Sequence, residues 1–215
     1  MQHGSVRSRY FTNTPLKYSM DYQAAKSFIL DKLSNELSDK LYYHGVHHTL
    51  DVLEVTSELC RVLGISAYES TLLKTAALFH DSGFTVSSDN HEELGCNIAR
   101  QHLPGFGYSE QEIERICGMI IATRIPQSPK NKLEEIICDA DLDYLGRDDF
   151  YPIGDSLFAE LKAFNRIGTE EDWNRIQVRF LESHNFFTRF NILRRQPQKL
   201  AHLSDLKNLV ASYDH

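Results

Sequence analysis

Cysteine is scarce in this chain of 215 residues, which has four, and no two of them form a Cys-x-x-Cys pair. Each lies in or near an apolar helical pattern: Cys60, Cys96, Cys117 and Cys138. This spacing argues against a disulfide framework and a zinc–thiolate site, and it favours free buried thiols in a reducing compartment. The sequence therefore predicts a cytoplasmic protein.

The chain also lacks long apolar runs and an excess of positive charge. No stretch is long and apolar enough to span a membrane, and residues Met1–Arg7 lack the apolar core of a signal peptide. The net charge of −7 argues against a nucleic-acid surface and against binding to an anionic membrane. A small anionic substrate remains compatible with this charge if a metal ion and a few local bases hold it.

Strand-like alternation, internal repeats and low-complexity segments are absent from the sequence. From Tyr22 onward the apolar residues recur with helical spacing almost throughout, so we predict an all-α, single-domain helical bundle. Residues 1–20 are predicted to be an irregular segment, 21–165 the helical core, and 166–215 C-terminal helices packed on that core. Capping boxes are predicted at Ser66–Glu69 and Ser109–Glu112, and Thr169–Asp172 is predicted to cap a further helix.

The dipeptide His80-Asp81 follows the apolar run Thr71–Phe79, where two polar side chains are out of place. Burying an ionised carboxylate beside an imidazole is costly, and a bound cation is one of the few partners that offset the cost. Gly83 follows, where a helix is expected to stop on a left-handed residue. The alternative is a histidine that interacts with the helix dipole beside a solvated aspartate.

Two further segments place similar side chains at helical positions. His44 and His48 are four residues apart and are predicted to share one helix face. Asp141 ends another apolar run. His48, His80, Asp81 and Asp141 together supply two imidazoles and two carboxylates, a set that suits an octahedral divalent ion with two positions left for water and substrate. Manganese, iron, nickel, cobalt and magnesium fit these ligands, and zinc is less favoured.

The order His, His-Asp, Asp on separate helices resembles the HD superfamily of metal-dependent phosphohydrolases. The segments that carry the resemblance are Tyr43–Val52, Ala77–Gly83 and Asp139–Gly146. It implies that the four residues named above are metal ligands, that Asp81 orients or deprotonates the attacking water, and that a nucleotide or cyclic nucleotide is the substrate. His44 resembles the proton donor of cyclic-nucleotide phosphodiesterases in this superfamily, with His91 as the other candidate for that role.

One segment resembles a particular branch of the superfamily and then departs from it. His91–Gly95 is similar to the segment of HD-GYP phosphodiesterases whose histidine binds a further metal. Where those proteins carry a His-His pair, this chain has Thr123-Arg124. We therefore expect one tightly held metal ion and a weak second one, and we expect Arg124 to bind phosphate oxygens through its planar fork. The alternative is that Arg124 interacts with the helix dipole at the C-terminal end of its helix.

Two other functions remain open from the sequence. A two-iron oxygenase of the same superfamily would need additional imidazoles, and Thr123-Arg124 removes the obvious ones. A non-enzymatic sensor of a nucleotide or metal is disfavoured because all four ligand positions are intact. The expected partner is a small phosphorylated molecule, and a homodimer is left open.

Overall fold

The computed structural model describes residues 20–213, in which ten α-helices and three short 3-10 turns occur and no β-strand is present. The all-α prediction is thereby confirmed, whereas the predicted irregular segment lies almost wholly outside the described residues. The helices are α1 Tyr22–Glu36, α2 Val46–Val62, α3 Ala67–Phe79, α4 His91–His102, α5 Glu110–Ala122, α6 Lys132–Asp141, α7 Phe150–Ala163, α8 Glu170–Ser183, α9 Arg189–Arg194 and α10 Gln196–Tyr213. The 3-10 turns are Ser82–Thr85, Leu103–Phe106 and Asp143–Gly146.

The apolar side chains form two clusters. The larger one is built from α1 to α6, with α3 at its centre between α2 and α5. The smaller one joins the segment before α2 and the turn after α6 to α7, α8 and α10, through residues such as Tyr43, Tyr144, Leu181 and Leu206. The C-terminal helices therefore pack beside the N-terminal end of α2 and the C-terminal ends of α3 and α6, where the predicted metal ligands lie.

The helix ends follow the predicted capping chemistry at most positions. Ser109 and Glu112 form a reciprocal capping box at α5, and Thr169 and Asp172 form another at α8. Ser66 caps α3 by accepting from the Glu69 N–H. No sequence pattern singled out α7, whose Pro152 lies in the first turn, where a missing N–H costs little.

Gly83 has a different role from the predicted one. Positive φ among the described glycines occurs at Gly64 and Gly107, so the prediction of a left-handed Gly83 was wrong. The residue lies in the turn Ser82–Thr85, and a Cβ atom there would lie 1.9 Å from the carbonyl oxygen of His91. Glycine is needed because the turn after Asp81 passes directly against the start of α4.

The helices of residues 20–213 are all too short or too polar to cross a bilayer.

Candidate metal centre

The ends of three helices place two histidines and two aspartates side by side. His48 lies in the first turn of α2, and Asp141 is the last residue of α6. His80 caps the C-terminal end of α3, and Asp81 follows it where the backbone leaves the helix. None of the four side chains is more than 12% exposed. The structure thus brings all four predicted ligands together.

The potential ligand atoms are spaced as they would be around one ion. His80 Nε2 lies 3.3 Å from His48 Nε2, 3.1 Å from Asp81 Oδ2 and 3.4 Å from Asp141 Oδ1. His48 Nε2 lies 3.2 Å from Asp141 Oδ1 and 3.5 Å from Asp81 Oδ2. Neighbouring ligands at right angles on an ion with bonds of about 2.1–2.3 Å are about 3.0–3.3 Å apart. The cluster can therefore hold one divalent ion.

The hydrogen bonds around the cluster leave its ligand atoms available. His80 Nδ1 donates to the carbonyl oxygen of Ala77 over 2.8 Å, which orients the ring with Nε2 toward the cluster. Asp81 Oδ2 is buried and has no hydrogen-bond partner. A buried carboxylate oxygen in that position is costly unless a cation neutralises it. The residues present fit a divalent metal ion.

The two carboxylates control the protonation of the cluster. Burial alone would lower the pKa of His80, but Asp81 and Asp141 raise it well above the ordinary value of 6.5. Burial also opposes the ionisation of Asp141, yet hydrogen bonds with His48 and His80 lower its pKa to about 2. The carboxylates therefore favour a proton on His80 when no cation is bound, and a bound cation would displace that proton.

His44 reaches the cluster from outside the helix. Because Gly45 is the extended N-cap of α2, which begins at Val46, His44 precedes the helix, and the prediction that it shares a helix face with His48 was wrong. Its ring stacks on Phe84 with 4.3 Å between centroids and lies 6.1 Å from the ring of His48. The turn after Asp81 and the segment before α2 therefore hold His44 beside the cluster.

Glu160 of α7 fixes His44, and no pattern in the sequence singled it out. Its Oε1 lies 2.5 Å from His44 Nδ1, and its Oε2 accepts the backbone N–H groups of Tyr43 and His44 over 2.9 Å and 3.0 Å. Burial alone would lower the pKa of His44, but the hydrogen bond with Glu160 and the charge of Asp81 raise it above 6.5. His44 Nε2 is the ring nitrogen left free to hold a proton for a substrate.

His91 begins α4 and faces the second oxygen of Asp81. His91 Nε2 lies 3.6 Å from Asp81 Oδ1 and 3.5 Å from Glu92 Oε1. Its ring stacks on Phe84 at 4.2 Å between centroids, on the same aromatic side chain that supports His44. Asp81 thus turns one oxygen toward the main cluster and the other toward His91. Glu92, which is buried, was not singled out by the sequence patterns.

Arg124 follows the C-terminal end of α5 and is paired with carboxylates. Its guanidinium contacts Glu93 and lies 3.4 Å from Glu92 Oε2, and its side chain is 40% exposed. Glu92 lines the cavity described next, whereas Arg124 does not. The guanidinium therefore lies behind Glu92 and does not itself line the cavity.

A cavity of 270 Å³ lies beside the cluster. Its polar end contains Asp81, Asp141, His44, His91 and Glu92. The rest of its wall is formed mainly by apolar side chains of the turn after α6 and of α7 and α8. A substrate that occupied the cavity would meet two of the predicted metal ligands, Asp81 and Asp141, and both candidate acids.

The comparison with known families agrees with this geometry. Residues 45–143 match the family model of the HD domain. The matched range begins after His44 and ends before α7, so Glu160 and the apolar helices of the cavity lie outside it. No curated protein and no solved structure matches the chain.

Proposed function

Because residues 45–143 match the family model of the HD domain and two histidines and two aspartates lie at one buried centre, we propose that the protein is a metal-dependent phosphohydrolase. The observation that supports this most is the convergence of His48, His80 and Asp141, whose ligand atoms lie within 4.8 Å of one another. Asp81 adds a carboxylate oxygen that has no hydrogen-bond partner. The cavity beside them gives a phosphate ester access to the centre.

In this proposal the site residues divide the tasks of catalysis, and Asp81 has two of them. A divalent ion held by His48, His80, Asp81 and Asp141 would lower the pKa of a water molecule and neutralise charge on the phosphoryl oxygens. Asp81 accepts a hydrogen bond from the attacking water. His44 holds a proton on Nε2 and donates it to the leaving oxygen, while Glu160 keeps the ring oriented. His91 is the second candidate donor.

The family resemblance suggests the substrate class and the metal. A nucleotide is the proposed substrate class, as monoester or diester, and manganese, iron, nickel, cobalt or magnesium is the proposed metal. We propose the cytoplasm as the compartment because the four cysteines are free and buried, which suits a reducing environment. Exposed apolar side chains on α9 and α10, such as Leu193 and Leu200, are compatible with a homodimer.

We also propose one tight metal ion and a weak second one. Asp81 Oδ1, His91 Nε2 and Glu92 Oε1 are close enough to offer three ligand atoms for the second ion. Thr123 and Arg124 supply no imidazole there. Two ions per chain that survive extended dialysis, together with an oxygen-dependent reaction, would favour a two-iron oxygenase instead.

The experiment that tests the function is a substrate screen. The purified protein, loaded with each proposed metal in turn, is incubated with nucleoside monophosphates, cyclic nucleotides and nitrophenyl mono- and diesters. The released phosphate, nucleoside monophosphate or nitrophenol is measured. We expect turnover of at least one ester that a chelator abolishes and that added metal restores. Absence of turnover with every metal and every ester would refute the proposal.

Glu160→Gln is expected to lower kcat about tenfold to hundredfold, as for other residues that orient a functional imidazole through a hydrogen bond. In glutamine one oxygen becomes an NH₂ group, which would face either His44 Nδ1 or the two backbone N–H groups that Glu160 now accepts. Steady-state kinetics on the best ester from the screen measure the effect, and metal content should not change.

Glu134→Gln is the matched control, because Glu134 is also a buried carboxylate that accepts a backbone N–H, from Lys130 over 2.6 Å, but lies away from the centre. It should leave kcat unchanged. In the His44→Ala background, Glu160→Gln should cause no further loss. An equal loss in both backgrounds would show that Glu160 does not act through His44.

Arg124→Ala is expected to raise KM about fivefold to tenfold with little change in metal content, because Arg124 is proposed to bind a phosphoryl oxygen of the substrate. Arg124 would have to leave Glu93 to reach that oxygen. Kinetics and elemental analysis of the variant measure both quantities. Arg100→Ala, which breaks the exposed pair with Glu114, is the control. An unchanged KM would remove Arg124 from the substrate site.

A further inference from the structure

The wall of the cavity beyond its polar end is apolar and comes from helices outside the family match. Leu157 and Leu161 of α7 and Trp173, Phe180 and Leu181 of α8 form much of it. Trp173 and Leu181 are buried, so the surface that they offer to the cavity is shielded from bulk solvent. This side of the cavity is a property of this chain, because the HD-domain match ends at residue 143.

Few polar side chains line that part of the cavity, and those of Thr123 and Gln177 are already partnered. The Thr123 hydroxyl donates to the carbonyl oxygen of Ile120 over 2.8 Å. Gln177 donates its amide to Asn174 over 3.1 Å, and Asn174 in turn donates to the hydroxyl of Tyr213. A sugar ring placed here would leave most of its hydroxyl groups buried without partners, which is unfavourable.

The charge of the lining also restricts the ligand. Among the described residues, no lysine or arginine lines the cavity, and its charged members include the carboxylates of Asp81, Glu92 and Asp141. One metal ion, with Arg124 behind the wall, can neutralise a single phosphoryl group. Further phosphate groups on the ligand would meet apolar side chains and carboxylates, which is unfavourable.

Two exposed isoleucines extend the apolar surface toward solvent. Ile125 is 52% exposed and Ile176 is 37% exposed, and both line the cavity. Apolar side chains that line a cavity and also reach the solvent let an apolar group enter without crossing a polar rim. The apolar path therefore continues from the surface to the metal ligands.

We propose that the cavity binds the hydrocarbon part of a phosphate ester, so that the substrates of this enzyme are alkyl or aryl phosphates. The proposal rests on the phosphohydrolase function, and it replaces the nucleotide that the family resemblance suggests with an apolar ester as the substrate class. Water attacks phosphorus and forms a new P–O bond, the P–O bond to the alcohol breaks, and His44 gives its proton to the alcohol oxygen. The proton that the water loses restores the proton on His44. The products are phosphate, or a phosphate monoester from a diester, and an apolar alcohol.

Trp173 gives a direct readout because it is the single tryptophan of the chain and lines the cavity. Its emission is followed while the magnesium-loaded protein is titrated with ethyl, butyl, hexyl and octyl phosphate, and with adenosine monophosphate. We expect the Kd to fall about threefold to fourfold for each added methylene until the cavity is filled. We expect adenosine monophosphate to bind more weakly than hexyl phosphate.

Ile176→Gln and Ile192→Gln form a matched pair of variants. Ile192 lies on α9, is 44% exposed and does not line the cavity, so its substitution changes a similar surface elsewhere. Ile176→Gln should weaken octyl phosphate on the order of fivefold and ethyl phosphate little. Ile192→Gln should bind every ligand as the wild type does.

Two kinds of result separate this inference from the function on which it rests. A Kd that does not depend on chain length, no emission change with any alkyl phosphate, or tighter binding of adenosine monophosphate would overturn the apolar substrate class while ester hydrolysis could still be observed. Chain-length-dependent binding without hydrolysis of any ester would instead overturn the phosphohydrolase function and leave the apolar cavity standing.

Discussion

Asp81→Ala is expected to remove the tightly bound metal and to reduce turnover to background. Asp81 is the ligand residue that faces both the main cluster, through Oδ2 at 3.1 Å from His80 Nε2, and His91, through Oδ1 at 3.6 Å. Without Asp81, the carboxylate of Asp141 alone remains among the proposed ligands to neutralise the two positive charges of a divalent ion. Elemental analysis after dialysis and phosphate release from the best ester are the measurements, and thermal unfolding establishes that the variant is folded.

The control for this variant is Asp139→Asn, two residues before Asp141 in the same helix. Asp139 is fully buried, but it accepts the backbone N–H groups of Phe187 and Thr188 and so holds the segment before α9 instead of facing the cluster. Its substitution should lower the free energy of unfolding by about 1–3 kcal/mol and leave the metal content unchanged. A folded Asp81→Ala protein with wild-type metal content would refute the ligand assignment.

His44→Ala is expected to lower kcat about a hundredfold to ten-thousandfold while the metal remains bound, which is the usual loss for a removed general acid. The reason is geometric: Glu160 holds His44 Nδ1 at 2.5 Å, and the ring lies beside the cluster without supplying one of the four ligand atoms. Steady-state kinetics and elemental analysis on the same preparation measure the two effects.

The leaving group supplies the control for His44. A nitrophenyl ester releases a weakly basic oxygen that needs no proton, so its hydrolysis should suffer much less in the variant than that of an alkyl ester. Equal losses with both esters would show that His44 does not donate the proton. A matching loss of metal would show that His44 is a ligand.

Much of the centre could be predicted because its ligands are encoded locally. His80-Asp81 interrupts an apolar helix at its end, and Asp141 does the same at α6. Polar residues at the ends of buried helices need a partner that offsets their desolvation, and their order along the chain carries the family resemblance. The fold class followed from apolar spacing alone, whereas the capping boxes at Ser109 and Thr169 followed from the acidic residue three positions after each.

The rest could not be predicted because it depends on contacts between distant segments. His44 and Glu160 are separated by 116 residues, and nothing near Glu160 in the sequence marks it as a partner of a histidine. Gly83 looked like a helix terminator, yet it is needed for the close approach of the turn to His91, which spacing does not reveal. The apolar wall of the cavity is formed by ordinary amphipathic faces of α7 and α8, and the sequence does not distinguish such faces from core.

The most direct test of the proposed chemistry is to follow where water oxygen goes during turnover. The metal-loaded protein hydrolyses an alkyl phosphate in ¹⁸O-labelled water. The reaction is run with and without a chelator, in air and under argon, and the masses of both products are measured by mass spectrometry. We predict that the label enters the phosphate, that the alcohol stays unlabelled, that argon has no effect and that the chelator stops the reaction. Label in the alcohol, a requirement for molecular oxygen, or turnover that persists without metal would contradict metal-activated attack of water on phosphorus.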